Sequence, residues 1–234
     1  MEVGGTKGVY DAGVYTAFSE YLAPNNSMPY NIISGVSVGG LTAAILSAFT
    51  DSETKEAAKL LSETWLHIKR EEMFQNWNDG GFMRGLFLEN GLFNSTPERI
   101  LINKTFQKAG GRIKRKISIA VVDVNAGTYV TDKNITDENL VNYTMGTSAM
   151  EGALPAEHLD NTMYVDAGTL YNIDLVTPIE YCKKLGYSDK DIIVDFIFLV
   201  PAKYPNFNST NAKGSDILGR KDFMQKHLER NMLL

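Results

Sequence analysis

Apolar and polar positions alternate along the chain in two distinct periods, and those periods predict most of its regular elements. Residues 8–22 read as a helix, with Val9, Ala12, Ala17, Phe18 and Tyr21 partly on one face. Pro24 to Pro29 is a turn-rich break, followed by a short apolar strand at Tyr30–Ser34 and a buried helix, poor in charge, at Leu41–Phe49. Residues 54–74 carry a clear helical period, with Ala58, Leu61, Trp65 and Ile68 on one side and Glu56, Lys59, Glu63 and Lys69 largely elsewhere. Residues 76–91 are rich in Gly, Asn and aromatics and predict a mobile surface loop. Ser95-Thr96-Pro97-Glu98 predicts a helix start, with a hydroxyl as cap and Pro in the first turn. Ile117–Val124 is a β-branched, buried strand, with Tyr129–Thr131 returning beside it across Asn125-Ala126-Gly127. A second apolar run, Ile192–Val200, ends at Pro201, and Asp222–Asn231 reads as a charged amphipathic helix. Strands alternating with helices predict an α/β layered fold with a largely parallel sheet.

Composition narrows the class. The 234 residues are 44% hydrophobic and 22% charged, enough for a globular core, and no linker or repeat divides residues 1–234 into more than one domain. A formal net charge of -5 argues against a nucleic-acid partner, which selects for a basic excess. The single cysteine, Cys182, makes neither an internal disulfide nor a zinc site, so no metal is expected and a reducing, cytoplasmic compartment is the simpler reading. No stretch has the length and apolarity of a signal peptide or a spanning helix.

Candidate chemistry starts at Gly35-Val36-Ser37-Val38-Gly39-Gly40, a G-x-S-x-G match between the Tyr30–Ser34 strand and the Leu41–Phe49 helix. That strand–turn–helix setting is what a nucleophile elbow needs. Gly35 and Gly39 flank the serine because a Cβ in so sharp a turn clashes with its neighbours, and the helix start brings partial positive charge near the hydroxyl. The plain alternative is a tight Gly/Ser turn without chemistry. Gly4-Gly5-Thr6-Lys7-Gly8 forms a second signal, because consecutive amides at a helix start make an anion site. In acyl transfer that is an oxyanion hole; a phosphate loop is the competitor, but G-x-x-x-x-G-K-[ST] is absent. For the base, the order Ser37, Asp166, His227 suits a triad, but His227 falls in a charged helix and reads as a surface histidine. Asp166, in Tyr164-Val165-Asp166-Ala167-Gly168-Thr169, ends a short apolar strand among small residues. A carboxylate bonded to Ser37 can take its proton directly where a dry pocket raises its proton affinity. Read alone, Asp-Ala-Gly is a turn.

All three segments, in this order, resemble the patatin-like phospholipase family, whose pattern is a Gly-rich loop with a basic residue, then G-x-S-x-G, then D-G-[GA]. Gly146-Thr147-Ser148-Ala149 with Leu154-Pro155, and Leu170-Tyr171-Asn172 with Val176-Thr177-Pro178, are similar to the family's stretches around its aspartate. The resemblance implies a three-layer α/β/α domain with a mostly parallel central sheet. It implies a Ser37–Asp166 dyad cleaving fatty acyl esters of lipids, with the Gly4 and Gly5 amides on the oxyanion and no cofactor. The expected partner is a lipid substrate at a membrane or lipid-droplet surface, reached by a cytoplasmic or peripherally bound protein. Three departures stand out: Val3 replaces the first loop glycine, Ala167 replaces the glycine after the aspartate, and only Met1-Glu2-Val3 precede the loop. The last departure, with the helix-like ending at Leu233-Leu234, is the expectation of a chain shortened at both ends. Val3 and the short start also favour a second expectation, an inactive lipid-binding or scaffold protein that keeps the fold. Two segments bear on membrane contact: the basic cluster Arg112–Lys116, read as a solvated strand entry, and the apolar run Phe82, Met83, Leu86, Phe87 and Leu88, read as either an inserting loop or a packed lid.

Overall fold

The computed structural model describes residues 7–131, 134–199, 206–207 and 210–233. Helix α1 (Gly8–Tyr21) leads to strand β1 (Ile32–Gly35), which runs straight into helix α2 (Val38–Ser47). The next helices are α3 (Thr54–His67), α4 (Arg70–Met73), α5 (Gly81–Phe87) and α6 (Thr96–Lys108). Strands β2 (Lys116–Ile119), β3 (Val121–Asp123) and β4 (Thr128–Val130) precede helix α7 (Leu140–Ser148). Strands β5 (Glu157–Leu159) and β6 (Thr162–Asp166) come next, then helices α8 (Val176–Lys184) and α9 (Gly214–Leu233). The fold is mixed α/β, as expected.

The sheet corrects the mostly parallel expectation. Among the described residues, parallel pairing is confined to β1 and β2, from Ile32↔Lys116 to Gly35↔Ile119, while the other four strands form an antiparallel sheet in the order β4-β3-β6-β5. Short connections dictate two of its three pairings, β3 with β4 and β5 with β6. Asp160 and Asn161, with φ of 51° and 62°, make the two-residue turn between β5 and β6, and Asn125–Gly127 turns β3 back into β4. Such turns match the twist of paired strands and allow only antiparallel neighbours. The apolar run from Ile117 therefore serves two sheets, following β1 as β2 and then pairing β6 as β3. Ile192–Leu199 joins none of the six strands; Ile193 is 85% exposed, and Val200 and Pro201 lie outside the described residues.

The core sits around α2, in which nine of the ten residues are buried. Leu41, Ile45, Leu61, Ile102, Ile119 and Leu140 meet there, each contributing roughly 1.5–3 kcal/mol by leaving water. Its neighbours are β1, β2 and helices α1, α3, α6 and α7. The buried face of α1 overlaps the expected one at Ala12, with Phe18 packed partly against the core, and departs from it elsewhere. Gly8, Asp11, Ala12, Tyr15 and Ser19 face inward, whereas Val9 and Tyr21 are exposed. Close approach selects the small face, because a Cβ on Gly8 would stand 2.3 Å from the Trp65 ring of α3. The period over 54–74 is broken at Ile68, whose ψ of 133° ends α3 before α4 begins. The stretch expected as a loop contains α5, which Gly85 anchors: a Cβ there would meet the Leu92 carbonyl at 2.3 Å.

Candidate active site

Ser37 stands between β1 and α2 with φ 54° and ψ -125°, a conformation that an L-residue adopts only when its surroundings force it. Two glycines make room for it. A Cβ on Gly35 would lie 2.1 Å from the Gly39 carbonyl oxygen, and one on Gly40 would lie 2.4 Å from Cγ2 of Thr147. Gly39 itself has open space where a Cβ would be, so the steric demand expected at Gly35 and Gly39 falls on Gly35 and Gly40. The Ser37 carbonyl accepts from the amides of Gly40 at 2.8 Å and Leu41 at 3.3 Å, which starts α2 immediately beyond the serine. The positive end of that helix is thereby fixed beside the hydroxyl.

Asp166 reaches the same place from the antiparallel sheet. Segment 116–123 acts as a shared spine: Ala120 N–H extends the β1 ladder by donating to Gly35 O at 3.2 Å, and Val121 pairs with Asp166. The ends of β1 and β6 are brought together across that one residue step. The Ser37 hydroxyl donates to Oδ2 of Asp166 at 2.6 Å. Oδ1 accepts from the Gly168 amide at 2.8 Å, so both carboxylate oxygens are oriented. A Cβ on Gly168 would sit 3.1 Å from that oxygen, and Ala167 is fully buried beside Val36 and Ala120.

The end of α7 braces both groups. Ser37 N–H donates to Thr147 Oγ1 at 2.8 Å, and Asp166 N–H donates to the Ala149 carbonyl at 3.0 Å. Below the site, buried Asp174 accepts at Oδ2 from Ser34 at 3.3 Å and Ser118 at 3.0 Å, which are register partners on β1 and β2. Its Oδ1 accepts from Thr177 N–H at 3.0 Å in the first turn of α8. Sequence reading missed Asp174, since a lone acid in a loop carries no local signal. Thr147 lies in a stretch that the sequence did single out, though not for this contact.

Glu98, in the first turn of α6, was read only as part of a helix start. It is wholly buried, and neither carboxylate oxygen has a hydrogen-bond partner. Burial pushes its carboxyl up to about 8. The nearby Ser148 hydroxyl and Arg99 oppose the rise, and the charge of Asp166 adds to it. The Ser148 hydroxyl in fact donates to the Met145 carbonyl at 3.1 Å, so its help to Glu98 falls short of a proper bond.

The other candidates separate clearly. Gly4 and Gly5, expected on the oxyanion, lie outside the described residues. His67 and His158 are exposed, and the side chain of His227 in α9 is outside what is described. Two members of the basic cluster serve the fold. Arg115 is buried and donates to the carbonyls of Phe49 at 2.7 Å and Thr50 at 2.8 Å beyond α2, and Lys114 pairs with Glu53 at 3.0 Å. By contrast, the apolar run on α5 faces outward: Phe82, Met83, Leu86, Phe87 and Leu88 are between 49% and 78% exposed. Among the described residues no group of three metal-ligating side chains gathers, and no helix is long and apolar enough to cross a membrane.

A serine in a strained strand–helix turn, bonded to a buried carboxylate, is the geometry that a nucleophilic serine requires. The patatin-like phospholipase family model matches residues 1–181, and the chain belongs to that family. Membership points to a lipid acyl hydrolase acting on lipid substrates. Comparison with curated proteins gives no match.

Proposed function

We propose that this protein is a serine hydrolase that cleaves fatty acyl esters of phospholipids or related lipids through a Ser37–Asp166 dyad. The observation that carries the reading is the 2.6 Å bond from the Ser37 hydroxyl to Oδ2 of Asp166. Ser37 Oγ attacks the ester carbonyl as its proton passes to Asp166. The tetrahedral oxyanion is held by backbone amides, for which Gly4 and Gly5 are the candidates. Collapse of the intermediate breaks the ester C–O bond, and the departing alcohol takes the proton from Asp166. Water then attacks the acyl-enzyme and gives a proton back to Asp166. The free fatty acid leaves, and that proton returns to Ser37. No metal or cofactor has a step in this sequence.

The lipid is met at a membrane or droplet surface, and the exposed apolar face of α5 is the natural contact. Supporting this, the segment after α5 is bonded to the loop after α7, through Leu92 N–H to Gly152 O at 3.0 Å, and Ala149 at the head of that loop accepts from Asp166 N–H at 3.0 Å. The protein is proposed to act as one domain, peripherally bound from the cytoplasm.

Hydrolysis of a short-chain nitrophenyl ester by wild type, Ser37→Ala and Asp166→Asn tests the chemistry. Each substitution is expected to lower kcat by about 10³-fold or more. Equal turnover in all three proteins would overturn the assignment. An inert wild type that still binds liposomes would favour the scaffold reading instead.

A further inference from the structure

The two parallel strands begin at a recess that lies at the opposite end of β1 from the dyad. Tyr30 and Asn31 lead into β1, Lys114 to Lys116 enter β2, and Thr50 and Asp51, just beyond α2, close the remaining side. Together they bound about 660 Å³, a size that suits a small ligand. Asn31 and Ser37 flank β1, so at about 3.3 Å per residue the recess lies roughly 20 Å from the serine.

Arg115 gives the recess its charge. The residue is only 8% exposed, and every acceptor it has is neutral. Nε donates to the Phe49 carbonyl at 2.7 Å, Nη2 to the Thr50 carbonyl at 2.8 Å and the Tyr15 hydroxyl at 3.5 Å, and Nη1 has no partner. The carbonyl end of α2 offers roughly half a unit of negative charge, which leaves the guanidinium short of neutral. A buried charge without a counter-ion is costly, and it is a standing attraction for an anion. Lys116 adds to it: its ammonium stands 5.7 Å from the centre of the Tyr181 ring and pairs with no carboxylate among the described residues. The acids nearby are engaged or wet. Glu53 takes Lys114 at 3.0 Å, and Asp195 accepts from the Tyr30 hydroxyl at 2.5 Å. Asp51, on the wall itself, is exposed and pairs with none of the three cations.

We propose that this recess is a second binding site, separate from the dyad, for a phosphate group, either inorganic phosphate or the terminal phosphate of an ester. A phosphate dianion supplies the negative charge that Arg115 and Lys116 lack. Its several oxygens accept from the Lys116 ammonium, the Asn31 amide and Lys114 at the rim, while Arg115 acts from behind as a fixed charge. A carboxylate brings one charge and two oxygens, and matches this wall less well. The site gives the protein a charge-dependent grip that is independent of the dyad and of the apolar face of α5.

The test is titration calorimetry of the full chain with inorganic phosphate at low ionic strength, with chloride at matched ionic strength as the blank. Wild type should bind phosphate saturably at one site. Lys116→Gln should weaken binding by about tenfold, and Asp51→Asn, which removes an acid from the wall, should tighten it a few-fold. Lys104→Gln, at an exposed lysine of α6 outside the recess, should change nothing. Each variant should melt with wild type, since none of these three side chains is buried. No saturable binding, indifference to Lys116→Gln, or an equal loss in Lys104→Gln would overturn the proposal. Co-sedimentation with phosphatidylcholine vesicles, with and without phosphatidic acid, then separates the two sources of phosphate. Extra retention on phosphatidic acid that Lys116→Gln abolishes makes the ligand a lipid headgroup. Phosphate binding without extra retention makes it a soluble phosphate, and either result upholds the site.

Discussion

At the scale of single residues, backbone clearance and buried charge set the strongest constraints. Gly35 and Gly39 look equivalent in the motif, yet only Gly35 lies against backbone atoms. Gly35→Ala is expected to cost about 3 kcal/mol or more, or to abolish soluble protein, because its Cβ has no space. Gly39→Ala should change stability by less than about 1 kcal/mol, since its site is open and a helix favours Ala. Thermal melts of the two variants make the comparison. Asp11 gives a pH signature. It is buried between α1 and α2, accepts from Thr42 at 3.1 Å, and is raised to about 6 by burial, with Thr42 opposing. Between its ordinary value near 4 and its folded value, the native chain holds a proton that the unfolded chain has lost. Stability therefore falls as pH rises through that window and stays lowered above it. Asp11→Asn keeps an acceptor for Thr42 and removes the charge. It should be more stable than wild type by on the order of 2 kcal/mol at pH 7, and equal to it near pH 3, by denaturant titration.

At the scale of elements, the site depends on how strand ends are tied together. Asp174 joins β1, β2 and the start of α8 through one carboxylate. Asp174→Ala leaves Ser34 and Ser118 without that acceptor, at an expected cost of about 2–4 kcal/mol, with turnover falling alongside the melting temperature. Helix α5 is held at Gly85 and exposes its large apolar side chains. Replacing Leu86 and Phe87 together by serine should sharply reduce co-sedimentation with phospholipid vesicles while sparing turnover of a soluble ester. Equal vesicle binding by that variant would remove α5 as the contact. Local pattern made β1, α2 and the serine turn readable in advance, because a strand period passes into a helical one across Gly35–Gly40 within a few residues. The same logic missed α5, whose glycines and aromatics resemble a loop until Gly85 is seen against the Leu92 backbone. It also placed Val9 and Tyr21 on the buried face of α1, where both are exposed and Gly8 makes the close approach to Trp65 instead.

At the scale of the whole molecule, the candidate site is a product of topology. Ser37 and Asp166 are 129 residues apart and meet because one continuous segment, 116–123, is parallel to β1 in its first half and antiparallel to β6 in its second. Alternation of strands and helices suggested a parallel sheet, but turns such as Asp160-Asn161 reverse the chain too soon for that. Asp166 was legible only through the motifs accompanying it; the braces at Thr147 and Asp174 and the burial of Glu98 were not, since each exists only once distant elements pack. Gly4 and Gly5 lie outside the described residues, so their part in the site rests on sequence.

The most direct measurement is labelling by a fluorophosphonate, followed by peptide mass spectrometry to locate the adduct. A single adduct on Ser37, formed at least tenfold more slowly in Asp166→Asn, is the predicted result. An unlabelled Ser37, or one labelled equally fast without the Asp166 carboxylate, would contradict the account.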